Sequence, residues 1–234
     1  PSDYDLEMLR RTAAIADEGQ ATVKEYAESG RTEREVCLGA YDRMISLGSE
    51  FLHECPIDTR INIGSFSDVI SNIRPYLFTN NRLEHGQMFW VDMSAQYNGY
   101  HIDCCRTISV GEPTDEQREL FEVCKAMYDA MVAELEPGVE GQRLWDVGWE
   151  IADEAGYGDH VNFIYFGHST GIETTERPFA QADETGSVRE GSLFNLEPGV
   201  FHPEIGSASI ENTLYVTDDG VEQLNQFSND LHVV

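Results

Sequence analysis

The stretch that decides the fold is Met88-Phe89-Trp90-Val91-Asp92-Met93-Ser94-Ala95-Gln96-Tyr97-Asn98-Gly99-Tyr100-His101-Ile102-Asp103. Met88 to Val91 reads as one strand and Ala95 to Ile102 as a second, with Asn98-Gly99 in or near a turn. An acid follows each run: Asp92 directly after Val91, and Asp103 directly after Ile102. A chain that runs up one strand and back down its neighbour can set two such acids side by side. Close carboxylates repel, and one of them is driven to keep its proton unless a cation sits between them.

Around this pair the pattern alternates between helix and strand. Residues 4–28 read as a helix, with Leu6, Leu9, Ala13, Ile15 and Val23 near one stripe and Gly30 at its end. Thr32-x-x-Glu35 is a capping box that opens a second helix through Val36, Ala40, Met44 and Leu47. Residues 50–85 read as strands and turns. Thr114-x-x-Gln117 caps a long helix to about Leu135, closed by Pro137-Gly138. Leu144 to Ala155 is a further helix, stopped by Gly156, and Val161 to Phe166 reads as a buried strand. The last seventy residues read as short strands and turns punctuated by Gly199, Gly206 and Gly220. Helices and hairpin-like strands in mixed order argue for an α+β fold rather than a doubly wound sheet.

Composition narrows the class of protein. The 234 residues are 41% hydrophobic, too apolar for a disordered acidic tail and long enough for a real core without disulfide staples. No apolar run reaches the ~18 residues of a membrane helix. Five charges between Pro1 and Arg11 are not the pattern of a secretory signal. Forty-three acids face fifteen bases, for a net charge of −28, and Lys24 and Lys125 are the only lysines. Such a field repels nucleic acid and anionic membranes. It also suits a halophilic cytoplasm, where salt screens self-repulsion. The five cysteines, Cys37, Cys55, Cys104, Cys105 and Cys124, form no C-x-x-C pair and are read as reduced, mostly buried thiols.

Three more potential ligands join the two acids. His168 follows the run ending at Phe166, Glu197 follows Leu193-Phe194-Asn195-Leu196, and Glu211 follows Ile210. Taken singly, each acid reads as a surface charge or turn former, and His168 as a hydrogen-bonded core residue. Together, four carboxylates and one imidazole make a hard, oxygen-rich set that suits Mn, Fe, Co or Zn in a dinuclear arrangement. Two such ions can share a water, lower its pKa and polarise a carbonyl. A rival motif overlaps this set: Gly167-His168-Ser169-Thr170-Gly171 matches the G-x-S-x-G serine-hydrolase elbow, but Ile172 to Pro178 makes a poor following helix. Cys104-Cys105 reads as buried strand rather than redox chemistry, and Trp145 and Trp149 as core.

The segments Val91-Asp92-Met93-Ser94, Gly99-Tyr100-His101-Ile102-Asp103, Gly167-His168-x-x-Gly171, Leu196-Glu197-Pro198-Gly199-Val200 and Ile210-Glu211-Asn212-Thr213 occur in this order. That series resembles the pita-bread metallopeptidases, the superfamily of methionine aminopeptidase, aminopeptidase P, prolidase and creatinase. The likeness runs from Leu6 to Leu224, and the gap between Glu197 and Glu211 looks closer to prolidase. It implies a curved antiparallel sheet flanked by helices, spanning 1–234 as one catalytic domain cut from a longer chain that carries a further N-terminal domain. It implies two divalent ions held by Asp92, Asp103, His168, Glu197 and Glu211, with Glu197 relaying the proton. The expected substrate is a small peptide or amide of the Xaa-Pro kind, and the expected assembly a homodimer. Where the family carries histidines outside the metal site, this sequence has Ile73-Arg74-Pro75-Tyr76 and, before Glu176-Arg177-Pro178, Thr175; Ser209 stands in place of a prolidase-like arginine. Thr175 and His202 are therefore candidate substrate-binding residues, with His101, Tyr76, Tyr165 and Arg177 as further candidates. These departures keep two alternatives open: a repurposed C–N hydrolase or dimethylsulfoniopropionate-lyase-like enzyme, and a non-catalytic peptide-binding module.

Overall fold

The computed structural model describes residues 1–50, 80–161, 164–171 and 173–234. Most of the 50–85 segment therefore lies outside the described residues, as do Ile73 to Tyr76 and Cys55. Four α-helices and ten strands are present among the described residues: α1 (Asp3–Tyr26), α2 (Glu33–Ser46), β1 (Met88–Tyr97), β2 (Tyr100–Ser109), α3 (Asp115–Glu134), α4 (Gly141–Glu154), β3 (Gly167–Thr170), β4 (Glu176–Phe179), β5 (Leu193–Leu196), β6 (Gly199–His202), β7 (Gly206–Ser209), β8 (Asn212–Thr217), β9 (Gly220–Gln223) and β10 (His232–Val233).

The decisive hairpin is longer than its apolar runs suggest. β1 and β2 pair antiparallel from Met88↔Ser109 to Tyr97↔Tyr100. Asn98 (φ 52°) and Gly99 (φ 82°) both take positive φ, the geometry of the two-residue primed turns whose twist matches the strands they join. The turn therefore divides the run that reads as a second strand. Phe89, Val91, Met93 and Ala95 alternate inward with Ile102, Cys104 and Ile108, and α1 covers that face with α2 packed on α1. The fit is close: a Cβ on Gly19 of α1 would lie 2.4 Å from Met93 Sδ and 2.6 Å from Met44 Sδ.

β4, β3, β5, β8 and β9 form a five-stranded sheet, β1, β2 and β10 a three-stranded one, and β6 and β7 a ribbon. A bridge between Cys105 and Glu211 joins β2 to the link between β7 and β8, so the sheets meet where the candidate ligands lie. α3 and α4 pack a second core of Leu120, Cys124, Met127, Met131, Leu144, Phe166, Phe194, Leu196 and Leu214. α2 and α3 open on the expected capping boxes, Thr32 with Glu35 and Thr114 with Gln117. α1 has its own, Ser2 with Asp5.

Two expectations are corrected. The strand in the 161–170 region is β3, Gly167–Thr170, not Val161 to Phe166. Of that run's described residues, Phe166 stacks on Trp145 of α4 at 4.1 Å, Val161 bridges Val200 and Ile164 is exposed, while residues 162–163 lie outside the described residues. Trp145 is core, but Trp149 is 38% exposed. Cys37, Cys104, Cys105 and Cys124 are buried, and Cys104, Cys105 and Cys124 are free thiols. Burial pushes the Cys124 thiol up to about 12 and raises Cys104 and Cys105 as well, so these thiols stay protonated.

Candidate metal centre

Strand alternation fixes the face on which the ligands stand. Asp92 lies opposite Cys105 and Ser94 opposite Asp103, so Asp92 and Asp103 are diagonal neighbours on the face turned away from α1. Across the larger sheet, His168 of β3, Asn195 of β5 and Thr213 of β8 form one transverse row. That row is tied to β2 by Thr213, whose Oγ1 donates to Asp103 O (3.1 Å) and accepts from Asp103 N (3.2 Å). Glu197 follows β5 and is held at its backbone by Glu197 N donating to Phe166 O, 2.8 Å. Glu211 is held by reciprocal backbone hydrogen bonds with Cys105.

The side chains converge. Ligand atoms of Asp103, His168 and Glu211 lie within 4.8 Å of one another, and all three residues are buried. His168 Nε2 is 3.2 Å from Glu197 Oε1 and 4.0 Å from Glu211 Oε1. Asp92 adds its charge to the same group, acting on Glu211 and Cys105. Asp92 and Glu197 are only half-buried, which marks the open side of the cluster.

Supporting groups orient these ligands. Ser94 Oγ donates to Asp103 Oδ1 at 2.9 Å, and Asn195 Nδ2 to Glu211 Oε1 at 3.2 Å. His168 Nδ1 sits 3.0 Å from Ser169 O, so Nδ1–H donates there and Nε2 is turned to the carboxylates. Burial raises the Glu211 carboxyl well above the usual range, and Asp103, Glu197 and Asp92 push it the same way. Burial also raises Glu197, against the opposing pull of His168. For His168, burial favours the neutral ring, but the hydrogen bond and charge of Glu197 outweigh it and raise the imidazole. Four acids gathered around one imidazole make a cluster whose negative charge a divalent cation would balance in place of protons, and its donors are the oxygen and nitrogen ligands that such ions prefer.

The remaining candidates fall elsewhere or on the rim. Tyr165, half-buried, stands edge-on to His168 with ring centroids 5.7 Å apart, and the Glu197 carboxylate raises its phenol. Thr175 is exposed on the loop between β3 and β4. His202 ends β6, where its Nδ1 accepts from Glu204 N and Ile205 N (3.3 Å each) and its ring tilts on His160. His101 lies two residues from Asp103 on the same face, against Gln96 at 2.9 Å. Arg177 pairs with Glu184. Ser209 packs beneath the site, donating from Oγ to Pro198 O and bonding Thr107 through its backbone. Ser169 lies inside β3 and runs on toward β4 rather than into a helix, so the serine-hydrolase elbow is not formed.

Ser94, Asn195 and Thr213 were missed from sequence. Ser94 and Asn195 each lie two positions from a ligand, polar residues on the same face of an apolar strand, and that spacing is a readable signal. Thr213 acts through a cross-sheet register that no local pattern encodes.

The model of metallopeptidase family M24 matches residues 7–218. The Xaa-Pro dipeptidase of Pyrococcus furiosus is 32% identical over 229 residues, covering 97% of this chain and 63% of the relative. That of Pyrococcus horikoshii is 31% identical over 231 residues, covering 98% and 63%. This chain thus spans under two thirds of the length of the curated relatives it matches first. The solved prolidase from Pyrococcus furiosus superposes with a TM-score of 0.86 at 28% identity, covering 97% of this chain and 65% of that one. An X-Pro aminopeptidase from Thermotoga maritima gives 0.88 at 22% identity, covering 100% and 64%, a likeness of fold alone. The architecture is the pita-bread α+β fold.

Proposed function

This chain belongs to metallopeptidase family M24, and on that premise we propose that it is a metal-dependent hydrolase of Xaa-Pro peptides, with Asp92, Asp103, His168, Glu197 and Glu211 as the metal ligands. The observation that carries the reading is the buried convergence of Asp103, His168 and Glu211, with Glu197 3.2 Å from His168. Two divalent ions, of Mn, Fe, Co or Zn, would supply Lewis acidity to the scissile carbonyl and acidity to the attacking water. Glu197 is the proton carrier: it stands on the open side, and burial raises its affinity for a proton. Its carboxylate takes the proton of the attacking water and returns it to the leaving amine nitrogen. Ser94 and Asn195 hold the neighbouring carboxylates still while this happens. Thr175 and His202 remain the proposed substrate contacts from the sequence; of the two, Thr175 lies on the loop that follows the His168 strand.

The likeness to Xaa-Pro dipeptidases favours this reading over the lyase and binding-module alternatives. The proposal includes one catalytic domain, a homodimer and a cytoplasmic setting, the last supported by free buried thiols. Among the described residues no helix is long and apolar enough to cross a membrane. The test is hydrolysis of Ala-Pro by the metal-loaded chain, with Glu197→Gln as control. Wild type should cleave, and the variant should lose at least ~10²-fold in kcat. An unchanged kcat in Glu197→Gln would refute the assigned role.

A further inference from the structure

On β1, Trp90 shares the site face with Asp92, one pleat away, about 6.7 Å along the strand. Its indole is 9% exposed. It packs on Cys105, the residue directly opposite Asp92, so it leans toward the carboxylates rather than away from them. On its other side stands Phe201, ring centroids 6.3 Å apart at 64°. Phe201 is half-buried, so this aromatic corner, on the same strand face as Asp92, is reached from solvent past the Phe201 ring. Within it, Trp90 Nε1–H is buried and has no hydrogen-bond partner. Buried donors in folded proteins nearly always find an acceptor, and a buried tryptophan N–H usually does.

We propose that Trp90 is a substrate-binding residue: its indole N–H donates to the carbonyl oxygen on the C-terminal side of a proline ring seated against Trp90 and Phe201. The inference rests on the Xaa-Pro reading above and adds to it a residue and a preference. An indole face and a phenyl edge favour a compact saturated ring. A neutral N–H serves a carboxylate, an amide or the next peptide carbonyl alike. Among the described residues, Arg106 is committed to backbone carbonyls and Arg177 pairs with Glu184. The site therefore accepts Xaa-Pro amides and longer peptides as well as free dipeptides.

The test compares Ala-Pro, Ala-Pro amide and Ala-pyrrolidide, which keeps the ring and lacks the acceptor, on the metal-loaded chain. In wild type, Ala-pyrrolidide should show a KM about 3–10-fold above that of Ala-Pro amide, the worth of one neutral hydrogen bond. Trp90→Phe keeps an aromatic ring and removes the donor. It should raise KM for Ala-Pro and its amide by that factor beyond whatever change it makes to Ala-pyrrolidide, and melt within a few degrees of wild type. Equal KM values for amide and pyrrolidide in wild type overturn the assignment whether or not the variant folds. So does an equal effect of Trp90→Phe on all three. Cleavage of none of them by wild type overturns the Xaa-Pro reading and this inference with it, whereas cleavage without acceptor dependence overturns this inference alone.

Discussion

Replacing Arg106 with Met should unfold the protein far more readily, because this side chain ties β2 to the Glu211 link, to β8 and to the C-terminal segment at Phe227 and Ser228. Arg106 is 1% exposed. Its guanidinium donates to Cys105 O (2.8 Å), Glu211 O (2.7 Å), Asn212 Oδ1 (2.7 Å), Phe227 O (2.7 Å) and Ser228 O (2.9 Å). Each hydrogen bond to a charged group is worth about 1.5–3 kcal/mol, but five on one fork do not add. Breaking a buried charged network by removing one partner typically costs about 3–5 kcal/mol, and that is the expected loss. For a chain of this length the melting temperature should fall by roughly 6–20 °C. Arg106→Lys keeps the charge but replaces a planar fork with one nitrogen, and should recover only part of the loss. The assay is thermal and urea unfolding of the three proteins at one fixed salt and metal concentration. With its backbone carbonyl released from Arg106, Glu211 should also hold metal more weakly through its carboxylate. A loss below about 1 kcal/mol in Arg106→Met would refute the reasoning.

Other consequences are as direct. Asp103→Ala should abolish metal retention through dialysis. Ser94→Ala, which removes only the hydrogen bond to Asp103, should weaken affinity by about 10–100-fold, both read by metal analysis and titration. The metal-free protein should grow less stable as pH rises. Glu197 and Glu211 have folded pKa values above their unfolded ones, so their contribution is fully present below about 4.5 and is lost as pH climbs through the raised values. Saturating metal should flatten that dependence, and a metal-free protein that gains stability between pH 5 and 8 would contradict it. Raising KCl from about 0.1 M to 1 M shortens the screening length from about 10 Å to 3 Å, so a chain of net charge −28 should melt higher in salt. An unchanged midpoint would remove the halophilic reading.

Much of the fold was legible because its signals are local. Thr32/Glu35 and Thr114/Gln117 announce helix starts through groups that bond within one turn. Asn98-Gly99 announces a hairpin through two positive φ values. The five candidate ligands were legible as acids and a histidine at the edges of apolar runs, because a strand must end or face an opening to carry them. What stayed hidden depends on register. That His168, Asn195 and Thr213 share a row across three strands, and that Thr213 couples the row to Asp103, follows from pairings between segments far apart in sequence. The 161–166 run misled because an apolar stretch whose ends, Val161 and Phe166, are buried by neighbouring elements reads like a buried strand over six positions.

The measurement that bears most directly on the account is the rate of Ala-Pro hydrolysis as Mn is titrated into metal-free protein. The account predicts no cleavage without metal and a rise that breaks at about two equivalents per chain. Hydrolysis that is independent of metal, or none at any loading, would contradict it.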